Sequence, residues 1–408
     1  MFNRALLLLK HPISKLTASP LEKKVFFISV NILLVLFIIN LAFPLEKLIL
    51  INEIFSLFGL YFYLRNINYF WEVNNNIILL AINFLIVYGI IRAGISLFNT
   101  DSFYGYLRTL VLWYSMFGFF LGAEFIKQHK NILLTDFLDK IAIPLSIIAI
   151  ILGNTISSPS LIPLLLRRYQ FKFILIFLGI TAIILLKHEF TLIPMLFAFA
   201  FCYIVLANKR LKTILFHPIF IALLILFFYI FFFILYFYFN SFYNYSLGFH
   251  ALPHFINNNS WWRFMFWAYE LANQLPNHLF FGLGFGSPLF NINDPNAQFI
   301  ASTNDYNDHY FMYTLGTHNF LVYSIVRLGV VGVLPLFIII LTLFNKIRLN
   351  KISNLSQGCF FSFVLIVIGA SFNVVIASPL YAGTFWIFLG MLYQSLKQDK
   401  KNEATDRK

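Results

Sequence analysis

Long apolar runs, separated by short polar segments, occupy most of the chain. Each run is about 20 residues long, which is the length of a helix that crosses the hydrocarbon core of a bilayer. Because lipid offers no hydrogen-bond partners to the backbone, we predict that the runs form membrane-spanning helices. The predicted spans lie roughly at residues 25–43, 48–64, 77–98, 107–126, 132–152, 171–187, 190–207, 214–239, 320–345, 358–378 and 380–396.

Basic residues at the ends of the runs predict the orientation, since cytoplasmic loops are enriched in Lys and Arg. Such clusters occur at residues 4–24, 167–172, 209–212, 346–351 and 397–408. An even number of crossings must separate the N-terminus from Arg167, but five runs precede it. The segment 153–166, broken by Pro159 and Pro163, is therefore predicted as a further short or re-entrant helix. The expected fold is an all-α polytopic membrane protein of about 12 transmembrane helices with both termini in the cytoplasm.

This topology divides the chain into four regions. Residues 1–239 form the N-terminal transmembrane helices, and residues 240–317 form one large periplasmic loop that carries short helices. Residues 318–396 form the C-terminal transmembrane helices, and residues 397–408 a cytoplasmic tail. The predicted location is the inner membrane, with residues 240–317 on its outer face.

Composition excludes several classes of protein. With 60% hydrophobic and 11% charged residues and a mean hydropathy of +0.80, the chain has too few charges to cover a soluble domain. The net charge of +13 lies mostly at helix ends, which predicts orientation signals and no nucleic-acid partner. Cys202 and Cys359 both lie in apolar runs, so neither a disulfide framework nor a CxxC metal pair is expected.

The outer loop is rich in aromatic residues and glycine. Residues 260–275 are predicted to form an amphipathic helix, and Trp261, Trp262 and Trp267 suit a membrane–water interface. A glycine turn, GLGFGS, follows at 282–287 and is expected to use positive φ and close backbone approach. It is a weak phosphate cradle, since no strand precedes it and no lysine follows.

Two residues of the loop and its far edge are candidates for chemistry. His318 is predicted to open a helix at 317–332 with Thr317 as N-cap, where it can act as a general base, or it is an ordinary interfacial histidine. Arg263 can hold a diphosphate with its bidentate fork, but it can also extend to lipid headgroups or pair with Glu270.

Other charged residues allow both functional and structural interpretations. Lys187 and His188 lie at an outward-facing helix junction, where charges are often functional but also mark turns. Arg92 and Glu124 are either buried pairs or residues that reach the interface. The spacing of the acidic residues and histidines of the loop matches no metal signature, so a solvated loop without metal or cofactor is expected. These residues are His250, His254, Asp294, Asp305, Asp308 and His309.

The outer loop and the segment HNFLVYSIVRLGVVG together resemble the O-antigen ligase and O-antigen polymerase superfamily of bacterial membrane glycosyltransferases. The family pattern has a His-Asn pair before an aliphatic helix with two glycines, matched here by His318, Asn319, Gly329 and Gly332. Upstream, an arginine in a Trp-rich helix is followed by Pro and a Gly-x-Gly turn, as in NQLPNHLFFGLGFG. The order of helices is similar over nearly the whole length.

The resemblance implies inverting, metal-independent transfer of a glycan from undecaprenyl diphosphate to a sugar hydroxyl on the periplasmic face. It implies that His318 activates the acceptor hydroxyl and that Arg263 holds the diphosphate. The chain departs from the family pattern where Lys187-His188 replaces a Ser-Arg pair and where Arg327 replaces a glutamate. Lys187, His188 or Arg327 can therefore supply the second cation, and Asn319 is a further candidate for substrate binding.

Three functions are compatible with these features. The first is a ligase that attaches O-polysaccharide to lipid A–core, and the second is a polymerase that extends lipid-linked repeats. The third is a transporter of lipid-linked glycans, which would favour internal repeats and short loops. The single dominant outer loop favours the ligase.

Overall fold

The computed structural model describes residues 20–42, 51–67, 76–100, 102–128, 192–243, 258–289, 319–372 and 381–406. Within these residues every regular element is a helix and no strand occurs, as the apolar runs predict. In chain order the α-helices are α1 Pro20–Ala42, α2 Ile51–Arg65, α3 Ile77–Phe98, α4 Phe103–Tyr114, α5 Gly118–Gln128, α6 Leu192–Ala207, α7 Lys209–Leu215, α8 Pro218–Tyr243, α9 Asn258–Asn273, α10 Leu275–His278, α11 Phe320–Leu349, α12 Asn354–Phe372 and α13 Ala382–Asp406.

Four helical segments of the described chain are long and apolar enough to cross a membrane: Ile77–Phe98, Phe103–Gln128, Phe320–Leu349 and Asn354–Ser371. The second combines α4 and α5 through the 3-10 turn Ser115–Phe117. Helices α7 and α8 add a fifth if they form one span, although they are bent by 53°. The protein is thus an α-helical membrane protein with several spans. The runs predicted at 132–152, 153–166 and 171–187 lie outside the described residues.

Aromatic packing and close helix contacts form the interior. The rings of Phe55, Phe125 and Phe388 all lie within 6.0 Å of the ring of Phe37, centroid to centroid. Helices α5 and α13 approach so closely that a Cβ on Gly122 would overlap the backbone carbonyl of Ile387. Small residues are needed at such helix contacts, because dispersion rather than water exclusion drives association inside lipid.

One end of the bundle gathers basic side chains. Asn76 Nδ2, at the start of α3, donates to Tyr393 OH in α13 (2.6 Å). Lys346, in the last turn of α11, lies over the same tyrosine ring, 5.7 Å from its centroid. Lys212 Nζ donates to the carbonyl of Asn350, just after α11 (3.1 Å). These contacts bring the basic clusters at 209–212, 346–351 and 397–401 to the same end.

The opposite end carries the start of α11 and the finish of α12. Asn319 Nδ2 donates to the carbonyl of Ser371 across these two helices (3.2 Å). The finish of α3 and the segment 275–289, which follows α9, belong to this half of the bundle. The candidate chemistry of the described chain therefore lies at the end away from the basic clusters.

Candidate functional site

Helix α11 is broken at Gly329, whose backbone has φ 65° and ψ −175°. Glycine adopts such torsion angles easily, whereas other residues are strained there. The break leaves carbonyls before it and amides after it without helical partners. Residues 279–284 pair two of these carbonyls and two of these amides, in the hydrogen bonds Leu283 N to Val326 O (2.8 Å), Gly284 N to Arg327 O (2.9 Å), Val330 N to Leu279 O (2.8 Å) and Val331 N to Phe280 O (3.1 Å).

The glycine turn fills this break and comprises residues 279–287, three residues more than the GLGFGS segment at 282–287. Gly282, Gly284 and Gly286 have φ of 68°, 81° and 80°. A Cβ on Gly282 would overlap the backbone of Arg327, so a side chain there would push the turn out of the break. The predicted positive φ and close backbone approach are confirmed.

The amides of the turn are used within the protein. Besides the two amides bonded to α11, Gly282 N donates to the carbonyl of His278 (2.8 Å). Phe285 N donates to Ser96 Oγ (2.9 Å), and Gly286 N donates to Thr109 Oγ1 (2.8 Å). Because the amides of residues 282–286 all have protein acceptors, the turn is not a phosphate cradle. Its function is to join α11 to α3 and α4.

Side chains of α3 hold the carbonyl side of the turn. Arg92 Nη2 donates to Gly282 O (2.9 Å). Tyr88 OH lies 3.0 Å from Phe281 O and 2.7 Å from Leu328 O, the carbonyl just before the break. Arg92 is half-buried and holds the backbone of the turn. Within the described residues it forms no ion pair, so the buried-pair alternative is not formed.

Glu124, the other charged residue predicted near a span end, is independent of the turn. It is 6% exposed and accepts hydrogen bonds from Lys127 Nζ (3.4 Å) and Gln128 Nε2 (2.7 Å) in its own helix. The pair with Lys127 is local to α5, and the Lys127 side chain is 55% exposed, so the acid is buried but the pair as a whole is not.

Arg327 is fully buried and faces the same turn from α11. Its Nη1 donates to Ser287 O (2.6 Å) and Gly284 O (3.3 Å), and its guanidinium carbon lies 5.6 Å from the Tyr323 ring centroid. Its Nε and Nη2 have no hydrogen-bond partner among the described atoms. In this conformation Arg327 holds the turn, and the arginine reaches a substrate only if the turn moves.

Glu270 in α9 is a buried acid that interacts electrostatically with Arg327. It is 0% exposed, and neither carboxylate oxygen has a hydrogen-bond partner within the described chain. Burial raises the pKa of Glu270 well above its ordinary value, and the charge of Arg327 lowers it in part. The alternative Arg263–Glu270 hydrogen-bonded pair, considered from the sequence, is therefore not formed.

Asn319 caps α11, which corrects the predicted helix start. Its backbone is extended, at φ −149° and ψ 119°, and its Oδ1 accepts from the amides of Leu321 (3.0 Å) and Val322 (3.1 Å). The helix begins at Phe320, so Thr317 is not the N-cap and His318 precedes the helix. An asparagine side chain satisfies two of the free amides of a first turn, which explains why the helix starts there.

Helix α9 occupies Asn258–Asn273 and confirms the helix predicted around Arg263. Arg263 is half-buried. Trp267 is only 2% exposed, so it packs in the protein interior and the predicted interfacial role is wrong for this residue. Its neighbours Phe266 and Leu271 are equally buried, which shows that protein rather than lipid covers this side of α9.

Several predicted site residues lie outside the described ranges. They are the candidate base His318, the junction residues Lys187 and His188, and the acidic residues and histidines of the loop at 250, 254, 294, 305, 308 and 309. Their proposed roles stay predictions. Of the predicted set, the described residues are Arg263, Asn319 and Arg327.

The sequence analysis considered Arg92 but missed the polar stripe on α3 to which it belongs. Tyr88, Arg92 and Ser96 are spaced four residues apart, so they share one face of the helix, and each bonds to the glycine turn. Three polar side chains at this spacing in an apolar span are a usable signal, because burying them is costly without partners. Glu270 lacks such a signal, since Arg327, whose charge acts on it, is distant in sequence.

Comparison with known proteins gives one family match, which covers part of the chain. A family model described as O-antigen ligase matches residues 174–337, which include α9, the glycine turn and the broken part of α11. No curated protein and no solved structure matches. The match covers the segments that carry the resemblance. It supports the resemblance of residues 174–337 to the O-antigen ligase and polymerase superfamily.

Proposed function

We propose that the protein is an O-antigen ligase of the bacterial inner membrane. It transfers O-polysaccharide from undecaprenyl diphosphate to a sugar of lipid A–core on the periplasmic face. The observation that carries the proposal is the family match over 174–337, together with the capped start of α11 directly after His318.

The proposed reaction needs two kinds of group. His318 accepts the proton of the attacking acceptor hydroxyl, because a sugar alcohol is a poor nucleophile until that proton leaves. The new glycosidic bond forms as the bond to the diphosphate breaks, with inversion at the sugar carbon. The diphosphate leaves with its electron pair, and cationic side chains stabilise its charge without a metal.

Arg263 is the proposed diphosphate ligand, with Lys187 or His188 as the second cation. The guanidinium fork of Arg263 suits two phosphate oxygens at once. Asn319 acts indirectly, since its carboxamide is engaged by Leu321, Val322 and Ser371 and holds the start of α11, which follows His318 in the sequence. Arg327 contributes by holding the glycine turn through its hydrogen bonds to Gly284 O and Ser287 O.

The distribution of charge supports the proposed orientation. The basic clusters share one end of the bundle, and cytoplasmic ends are enriched in Lys and Arg. The start of α11 is at the opposite end, which would face the periplasm. A lipid-borne donor and a lipid-anchored acceptor would meet there.

Deletion of the gene tests the reaction. Loss of a ligase leaves bare lipid A–core while long polymer accumulates on its lipid carrier. Core that carries a single repeat would instead indicate a polymerase, the alternative function of the same superfamily. An unchanged lipopolysaccharide ladder without accumulated carrier-linked glycan would refute both.

His318→Ala tests the base. Complementation of the deletion strain with this variant should give no transfer at wild-type protein levels in the membrane. His217→Ala is a matched control, because His217 lies at the basic end of the bundle and its side chain accepts a hydrogen bond from the nearby amide of Ile219. Normal ladders with His318→Ala would remove His318 from the mechanism.

A further inference from the structure

A cleft of about 420 Å³ lies between the last turns of α3 and the segment 276–287. Its polar lining comes from both walls: Arg92, Ser96, Asn99, Asn277, His278 and Ser287. The cleft is on the face of the glycine turn towards α3, whereas Arg327 approaches the turn from α11. Arg92 and Arg327 thus reach the turn from different helices, and Arg327 does not line the cleft.

The charge of the cleft favours an anion. Arg92 is its cation, and no carboxylate is among its described lining residues. One hydrogen bond of the Arg92 guanidinium is used by Gly282 O. A guanidinium has five N–H donors, so it can hold the turn and still bind phosphate oxygens. Asn99, Asn277 and Ser287 add uncharged donors around it.

The surroundings of the cleft favour a lipid. Phe280 and Phe281 line it and are 65% and 58% exposed, and Phe98, at the end of α3, is 87% exposed. Large aromatic side chains at the edge of a span suit the zone between acyl chains and water. A cation enclosed by such residues can bind a lipid headgroup while the chain of the lipid lies along the aromatic rings.

We propose that this cleft binds the phosphate headgroup of a membrane lipid, with Arg92 as the main ligand. Two lipids offer this chemistry, namely the diphosphate-linked donor and an ordinary anionic phospholipid. The donor as occupant rests on the proposed function. Binding of a phosphate headgroup does not, since it follows from the cleft itself.

Lipid binding to the purified full-length protein tests the proposal. Native mass spectrometry would measure the affinities for undecaprenyl diphosphate, phosphatidylglycerol and, as a phosphate-free control, diacylglycerol. Arg92→Gln should weaken binding of a phosphate lipid roughly tenfold, because a charge-assisted contact is lost, and Arg92→Lys should weaken it less. Arg210→Gln is the matched control, since Arg210 is exposed and lies at the basic end.

A second variant keeps the test valid if Arg92→Gln fails to fold. His278→Ala alters the other wall of the cleft but preserves the backbone carbonyl that binds Gly282 N, and it should weaken binding roughly threefold. Wild-type affinities in both folded variants, or in folded His278→Ala alone if Arg92→Gln does not fold, would overturn the proposal.

The arms of the experiment separate the two lipids and the two proposals. A loss for undecaprenyl diphosphate alone assigns the cleft to the donor, and a loss that includes phosphatidylglycerol assigns it to phosphate lipids in general. His318→Ala should bind both lipids as the wild type does while transfer is lost. Transfer in His318→Ala would thus contradict the proposed base without affecting the cleft.

Discussion

Gly329→Ala tests whether the glycine turn and the broken helix form one structural unit. The alanine would have to keep φ near 65°, where L-residues are strained. Its Cβ would lie 2.5 Å from Gly282 N and even closer to the carbonyl of Phe280. Both neighbours are backbone atoms of the turn, so they cannot rotate away as a flexible side chain could.

The expected loss follows from these two effects. A residue held in a torsion region that is reserved for glycine costs about 1–3 kcal/mol. If the turn shifts to relieve the overlap, the two hydrogen bonds accepted by Leu279 O and Phe280 O weaken, at about 1 kcal/mol each. Together these effects predict that the free energy of unfolding falls by about 3–5 kcal/mol.

Unfolding of the purified protein in detergent, followed by tryptophan fluorescence, measures this loss. Gly94→Ala is the matched control, because Gly94 lies in α3 and a Cβ there would meet no atom within 4 Å. In that exposed helical position alanine should be neutral or stabilise the protein by about 0.5–1 kcal/mol. Equal stability of the two variants would refute the proposed union of turn and helix.

Two further changes test the groups beside the turn. Asn319→Ala should lower the free energy of unfolding by about 1 kcal/mol, and the folded variant should also transfer less glycan, since the cap holds the helix start that follows His318. Asn319→Asp keeps the acceptor of the cap and should retain more activity. An equal loss of activity in both variants would contradict the role of the cap. Glu270 has a raised folded-state pKa, so wild-type stability should fall as pH rises from about 4.3 through that pKa. Glu270→Gln should lack this loss of stability. Parallel curves of unfolding free energy against pH for the two proteins, measured from about pH 5 to about pH 9, would show that the carboxyl does not titrate as proposed.

The features of the fold that could be predicted are those determined by local sequence. The apolar runs predict the helices, and the spacing of Gly282, Gly284 and Gly286 predicts a turn with positive φ. The helix around Arg263 follows from its amphipathic pattern. Each of these depends on residues that are neighbours along the chain, where hydrophobic period and backbone freedom are directly visible.

The features that could not be predicted are contacts between distant segments. Nothing in the local pattern of α11 indicates that its backbone is broken at Gly329 and repaired by residues 279–284. The start of α11 was expected at Thr317 because threonine is a good cap, but Asn319 is also one and has the extended backbone that a cap requires. Trp267 was assigned to the interface by residue type, while its burial depends on what packs over α9.

The repaired break in α11 also constrains how the protein is made. The strand-like exchange of hydrogen bonds needs the turn, which is synthesised before α11. When α11 enters the bilayer, the polar groups at its break gain these partners only once the turn lies beside it, and lipid would supply none. We therefore expect insertion of this helix and docking of the turn to be coupled during biogenesis.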